Sequence, residues 1–158
     1  MKHMGKKTRW VYPAFVPYGN GFLIDSMDKS YIILVESIGD ALNCMQHGIN
    51  NVLVSFGLDI SSKLICSLIQ YDFKKVIISF NNDSDKNYNR GMDACIKSYL
   101  KLLSCYDSNN IQICLPIKND FGDMNESDFR AWKDKLKKLD GFNQAPKIIK
   151  IGKMELSY

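Results

Sequence analysis

Several patterns are missing from this chain of 158 residues, and each absence excludes a class of protein. The five cysteines include no C-x-x-C pair, which excludes a zinc ribbon or a redox motif built from neighbouring cysteines. No apolar run approaches the about 20 residues that cross a membrane, and no hydrophobic signal segment follows the basic N-terminus. The chain contains no G-x-x-x-x-G-K-[ST] motif, so nothing in the sequence indicates a fused helicase. We therefore expect a cytoplasmic protein with reduced cysteines and no membrane contact.

The composition is sufficient for one folded domain. Apolar residues make up 46% of the chain and aromatic residues 11%, enough to bury a core at this length. The 21 lysines and arginines exceed the 17 acidic residues, giving a formal charge of +4. This mild basic excess is compatible with a nucleic-acid partner, although many proteins without such a partner share it.

From residue 31 onwards, short apolar runs alternate with helical patterns. Strands are predicted at 31–35, 51–55, 75–80 and 111–115, and helices at about 38–47, 59–70, 90–104 and 127–138, the last with Ser127 as its N-cap. This order predicts an α/β domain over residues 29–140, with a central parallel sheet of about four strands flanked by helices. Residues 1–28 are expected to form an extension of short strands or loops, and residues 141–158 an edge strand or tail.

Acidic or amide side chains follow three of the predicted strands. Glu36 follows the first strand, with Asp40 one helical turn later; Asn81 and Asp83 follow the third strand, and Asp123 follows the fourth. Parallel sheets place their sites beyond the carboxyl ends of the strands, so these side chains are expected to lie together. Hard divalent ions prefer such oxygen ligands, and clustered carboxylates need a neutralising cation. The pattern therefore predicts a metal site.

Each acid also has a structural interpretation. Asp40 can favour the start of its helix through the helix dipole, and Asp123 can belong to an acidic loop that caps the following helix. Asn81 can be part of a polar turn. Glu36, if it is not a metal ligand, can act as a general base or acid.

Four segments together resemble the toprim domain shared by bacterial and phage DNA primases, topoisomerases and some nucleases. They are VESIGDAL, the LVSFG that ends at Gly57, the IISFNND followed by Gly91, and KNDFGDMNE. The resemblance covers residues 31 to about 138 and is closest to primases of phages and mobile elements. It implies a compact Rossmann-like fold that binds Mg²⁺ or Mn²⁺ and handles nucleic-acid phosphates.

The resemblance also implies roles for single residues. Glu36 occupies the position of the catalytic glutamate and Asp40 that of its supporting acid. Asp83 and Asp123 match the metal ligands, and the late motif adds Asn125 and Glu126 as lesser contributors.

The chain departs from the family pattern after the third strand. Asn81 stands where the family has aspartate, so one negative charge is lost while a coordinating oxygen remains. Asp85 is a candidate to replace that charge. The inserted DKNYN lengthens the loop and brings Lys86 and Arg90 near the expected phosphate site.

The resemblance implies a DNA-replication module that uses its metal for nucleotidyl transfer on single-stranded DNA with incoming nucleotides, in a bacterial or phage-infected cell. The chain has no zinc-binding spacing and no helicase motif, so a zinc-binding primase module or a replicative helicase is the expected partner. Two alternatives remain open: a metal-dependent nuclease, and a non-catalytic module with a degenerate metal site that binds nucleic acid or a replication partner.

Overall fold

The computed structural model describes residues 27–84 and 86–141, which form four strands and four α-helices. The strands are β1 (Ile32–Val35), β2 (Val52–Val54), β3 (Val76–Ile78) and β4 (Ile111–Ile113). The helices are α1 (Ile38–Gln46), α2 (Ser62–Gln70), α3 (Arg90–Leu102) and α4 (Glu126–Gly141). The predicted alternation of strands and helices is therefore confirmed. The expected extension at 1–28 and the tail from 141 fall almost entirely outside the described residues.

Local capping sets where the helices begin and end. The predicted end of α1 is confirmed: Gly48 takes a φ of +75°, and its N–H donates to the Met45 carbonyl at 3.0 Å. The Ile49 N–H donates to the Cys44 carbonyl at 2.9 Å, which completes a Schellman motif. Helix α2 begins later than predicted because Ser61 caps it.

The predicted N-cap of α4, Ser127, is wrong. Asn125 Oδ1 accepts hydrogen bonds from the backbone N–H groups of Ser127 at 2.9 Å and Asp128 at 3.1 Å. The Asp128 carboxylate in turn accepts from the Asn125 N–H at 3.1 Å. This reciprocal capping starts the helix at Glu126, so Ser127 already lies in its first turn.

All four strands are parallel, in the order β2-β1-β3-β4. The chain runs from β1 to β2 on one side, then crosses back past β1 to β3 and β4. Strand order therefore reverses between β1 and β3. In open parallel sheets, the crevice at the carboxyl ends of such a strand pair is where ligands bind.

Helices cover both faces of the sheet, which is why the strands are almost wholly apolar. On one face, Ile32 and Leu34 pack in a cluster with α2 and α3 residues such as Leu64 and Cys95. On the other face, Ile33 and Val35 belong to a cluster with residues of α1 and α4. Trp132 of α4 is 1% exposed, and its Nε1 donates to the Cys114 carbonyl at 3.1 Å. The outcome is a three-layer α/β sandwich, as predicted.

No helix within the part of the chain that the structure describes is both long enough and apolar enough to cross a bilayer.

Helix α3 packs directly on the backbone that leaves β3. A Cβ atom added to Gly91 would lie 1.7 Å from the Asn81 carbonyl oxygen and 2.7 Å from its carbon. Because both atoms are main chain, a side chain at position 91 cannot be accommodated unless the helix moves. Gly91 therefore fixes the N-terminus of α3 against the end of β3.

We predict that Gly91→Ala lowers the free energy of unfolding by about 3 kcal/mol, because the added methyl collides with main-chain atoms. Urea denaturation followed by circular dichroism measures this. Gly39→Ala is the matched control, since its new methyl would meet only Ser37 Oγ at 3.6 Å. The control should change stability by less than about 1 kcal/mol. Equal stability of Gly91→Ala and wild type would contradict the close packing.

Candidate metal and phosphate site

Three loops meet at the strand-order reversal. Glu36 follows β1 directly, Asn81 and Asp83 lie in the loop after β3, and the loop after β4 carries Asp120 and Asp123. Since β1 and β3 are hydrogen-bonded neighbours and β4 is next to β3, their carboxyl ends lie side by side. The topology thus brings the loops that carry the predicted site residues to one edge of the sheet.

Glu36 lies close to three other carboxylates. Burial raises the pKa of Glu36, and the negative charges of Asp40, Asp83 and Asp120 raise it further. The positive charge of Arg90 acts in the opposite direction. Glu36 therefore experiences excess negative charge, which a cation at this position would relieve.

Asp40 is 3% exposed and uses both carboxylate oxygens within the protein. Oδ2 accepts from the Ser37 N–H at 3.1 Å and from Ser37 Oγ at 2.6 Å, completing a capping box on α1. Oδ1 accepts from the N–H groups of Phe121 at 3.0 Å and Gly122 at 3.3 Å. Asp40 therefore joins the start of α1 to the loop after β4.

Asn43, one turn further along α1, strengthens the same junction. Its Nδ2 donates to the carbonyls of Phe121 at 2.6 Å and Met124 at 3.1 Å. Phe121 is buried and packs edge-on against Trp132, with ring centroids 5.2 Å apart. The loop that carries Asp120 is thus fixed by hydrogen bonds on one side and by core packing on the other.

Asp83 is 7% exposed and also has partners for both oxygens. Oδ1 pairs with the ammonium of Lys86, and Oδ2 accepts from the Gly91 N–H at 3.3 Å, in the first turn of α3. A carboxylate at a helix N-terminus is favoured by the helix dipole. Asp83 is therefore held rigidly, with a positive charge on one side.

The two asparagines before Asp83 differ in role. The Asn81 carbonyl is the group against which Gly91 packs, and its side chain is partly buried. Asn82 connects two loops: its Nδ2 donates to the Pro116 carbonyl at 3.1 Å, and its Oδ1 accepts from Asn89 Nδ2 at 3.4 Å. Asn82 therefore contributes to loop geometry.

Within the loop after β4, the structure brings Asp120 rather than Asp123 to Glu36. Asp120 is partly buried and is among the charges acting on Glu36, whereas Asp123 is exposed and is not among them. The Asp123 N–H donates to Asp120 Oδ1 at 2.9 Å, which orients the Asp120 carboxylate. Sequence reasoning missed Asp120 because KNDFGDMNE contains two aspartates and spacing alone does not rank them.

The other predicted residues are spread around the site. Arg90 begins α3 on the exposed surface and acts electrostatically on Glu36. Asn125 caps α4, and Glu126 is exposed with a long 3.7 Å ion pair to Arg130. Asp85 lies outside the described residues.

The family is established by direct comparison. A protein-family model described as Toprim-like matches residues 33–126, which is more than half of the chain. The chain therefore belongs to the toprim-like family. A sequence search of curated proteins finds no match.

Solved structures show the same fold. A DnaG catalytic core aligns with a TM-score of 0.60 at 18% identity, over 85% of this chain and 42% of that one. The Escherichia coli primase catalytic core aligns with a TM-score of 0.54 at 20% identity, over 73% of this chain and 37% of that one. A DnaG primase catalytic domain bound to single-stranded DNA aligns with a TM-score of 0.53 at 20% identity, over 70% of this chain and 36% of that one. This chain spans less than half the length of each.

Toprim proteins generally use divalent metal ions, and the residues present allow one kind of site. Among residues 27–84 and 86–141, no three His, Cys, Asp or Glu side chains are grouped to hold a metal ion. A metal caged entirely by protein ligands therefore does not fit. Mg²⁺, however, is usually held by one or two carboxylates together with water and substrate phosphates. The excess negative charge around Glu36 fits that weaker mode of binding.

We predict that Asp40→Asn destabilises the protein by about 2 kcal/mol, because an amide N–H must then face backbone donors. Thermal and urea denaturation measure this. Asp123→Asn is the matched control: the same isosteric change in an exposed side chain should cost less than about 0.5 kcal/mol. Equal effects of the two substitutions would show that Asp40 does not join α1 to the loop.

We predict that Glu36→Gln raises the melting temperature at pH 7 in EDTA, by about 1 to 3 °C. A raised pKa in the folded state means that ionised Glu36 destabilises the fold. The advantage of the glutamine should therefore shrink as pH falls through the folded pKa, and vanish below the unfolded value of about 4.3. Calorimetry between pH 3.5 and pH 7 tests this, and a gain that is independent of pH would contradict it.

Proposed function

We propose that this chain is the toprim module of a DNA-replication primase, in which a divalent metal near Glu36 and Asp83 serves nucleotidyl transfer. The convergence of carboxylates on Glu36 at the strand-order reversal is the observation that carries the proposal. Such uncompensated charge is unfavourable in a folded protein unless a cation neutralises it. Membership of the toprim-like family supports the same conclusion.

The residues of the chain have separable roles in this proposal. Mg²⁺ or Mn²⁺ would be held by one or both of the Glu36 and Asp83 carboxylates together with water and substrate phosphates, and would supply positive charge to the phosphate oxygens. Asp120 would add negative charge beside Glu36. Where Asp83 alone holds the ion, Glu36 keeps its raised pKa, which suits it to accept a proton from an attacking hydroxyl. Arg90 lies near Glu36 at the exposed start of α3, where it can bind a substrate phosphate.

Asp40 has a positioning role in this proposal. Its two oxygens are committed to Ser37 and to the N–H groups of Phe121 and Gly122, so it sets the separation of Glu36 and Asp120. We do not assign it as a metal ligand, because coordination would have to displace these hydrogen bonds.

The proposed substrates are single-stranded DNA and nucleoside triphosphates. One of the similar structures is a primase domain bound to single-stranded DNA, which supports this choice. The proposed partner is a zinc-binding primase module or a replicative helicase. We place this activity in the cytoplasm.

A non-catalytic nucleic-acid-binding module is the second candidate. It is favoured by Asn81, which is neutral, and by the ion pair that already neutralises Asp83. In this case the site would bind phosphate through its basic residues, and metal would contribute little.

A Mn²⁺ titration of the full chain, followed by the paramagnetic resonance signal of free Mn²⁺, tests the metal site. We expect saturable binding in the millimolar range or tighter that is lost in Glu36→Ala combined with Asp83→Ala. Asp107→Ala combined with Asp134→Ala is the control for charge, since both of these aspartates are exposed and neither belongs to the predicted site, and it should leave binding unchanged. Absence of binding in the wild-type chain would overturn the primase proposal.

Two further arms of this experiment separate the candidates. Asn81→Asp should tighten Mn²⁺ binding because it restores a ligand charge, and unchanged affinity would mean that position 81 does not face the ion. Incubation with single-stranded DNA and ribonucleotides should give primers, whereas cleavage of labelled DNA alone would indicate a nuclease. Metal binding with neither reaction would favour the binding module.

A further inference from the structure

Lys86 forms an ion pair with the carboxylate on which the proposed metal site depends. Asp83 is the buried acid after β3, with its side chain 10% exposed, and the Lys86 ammonium contacts its Oδ1. The other oxygen faces the Gly91 N–H at 3.3 Å. A divalent ion that approaches the Lys86 side of this carboxylate therefore meets a positive charge already in place.

The loop itself brings the two charges together. The Lys86 backbone N–H donates to the Asp83 carbonyl at 3.0 Å, which closes a turn and places the two side chains three residues apart on the same side. The ion pair therefore needs no ligand and no distant element. It belongs to the lengthened loop that distinguishes this chain from the family pattern.

The two partners differ in mobility. Asp83 is buried and anchored to α3, whereas the Lys86 side chain is 56% exposed and has a flexible aliphatic stem. An exposed ammonium can return to water at low cost, while the carboxylate cannot leave. The ion pair thus joins a mobile lysine side chain to a carboxylate that stays in place.

We propose that Lys86 is a built-in counter-ion that occupies Asp83 in the metal-free protein and competes with the divalent ion for it. Metal binding releases the ammonium to solvent or to a substrate phosphate. This inference rests on the proposed function, because it assumes that the ion binds near Glu36 and Asp83. It means that metal affinity depends on Lys86 as well as on the carboxylates.

The magnitude follows from the exposure of the pair. An ion pair with one exposed partner contributes only a small free energy, which metal binding must overcome. Repulsion between the Lys86 ammonium and the incoming divalent ion adds to that free energy. Removing the ammonium should tighten Mn²⁺ binding by about threefold to tenfold. The difference should shrink at high salt, because screening weakens both terms.

The first test is Mn²⁺ titration of Lys86→Met, Lys86→Arg and wild type, without nucleic acid. Lys86→Met should bind more tightly by the stated factor, and Lys86→Arg, which keeps the charge, should stay within about twofold of wild type. Lys97→Met, at an exposed position of α3, is the control for net charge and should match wild type. Thermal denaturation checks that each variant is folded, and Lys86→Gln replaces Lys86→Met if the latter is not.

The outcomes distinguish this inference from the proposed function. Equal Mn²⁺ affinity of wild type and Lys86→Met overturns the role of Lys86 while the metal site stands. No binding by wild type together with tight binding by Lys86→Met overturns the primase proposal for the natural chain, but supports the competition of Lys86 with the ion for Asp83. No binding by either protein overturns both proposals.

The second test measures the release of the ammonium directly. Acylation of lysines by a succinimidyl ester, quantified by peptide mass spectrometry, should become faster at Lys86 when Mg²⁺ is added, because the freed amine is more accessible. Lys97 provides the internal reference and should not change. A Lys86 rate that is insensitive to Mg²⁺, in a protein that binds Mg²⁺, overturns the inference.

Discussion

The structure of the site depends on one buried carboxylate, that of Asp40. It closes the capping box on α1 through Ser37 and accepts the backbone N–H groups of Phe121 and Gly122. Through this group, the end of β1 and the loop after β4 keep a fixed separation, although Phe121 lies 81 positions after Asp40 in the chain. A carboxylate that accepts several charge-assisted hydrogen bonds is stable when buried, and its loss leaves those donors without partners. Asp40 is thus a structural link between the start of α1 and the loop after β4.

The two other acids near Asp40, Asp83 and Glu36, differ in how far neighbouring positive charge compensates them. Asp83 has a helix N-terminus and an ammonium beside it, whereas Glu36 is half-buried among carboxylates, with the Arg90 charge opposing them. The topology explains why these groups meet: the strand order reverses between β1 and β3, and both acids follow those strands. The same edge of the sheet also carries the neutral Asn81 and the basic Lys86, whose ammonium pairs with Asp83.

The sequence predicted elements better than it predicted individual contacts. Apolar runs between helical patterns gave all four strands and helices of the described chain, because burial on both faces of a parallel sheet demands that pattern. It failed at Ser127, where the choice between Asn125 and Ser127 as N-cap depends on backbone geometry within a few residues. It could not predict that the charge of Asp120 acts on Glu36, since either Asp120 or Asp123 can face Glu36 until the loop is fixed by Asp40 and by the packing of Phe121.

The sequence by itself determined the fold class, the family resemblance and the edge of the sheet where the acids gather, because these follow from periodicity and from residues next to strand ends. Only the tertiary structure decided which carboxylates are committed to hydrogen bonds, which one is paired with a lysine, and which one faces excess negative charge. The physical reason is that electrostatic energies depend on distance and burial in three dimensions. Glu36 and Asp120 are far apart in the chain. They become partly buried and act on each other electrostatically only when the loops have folded.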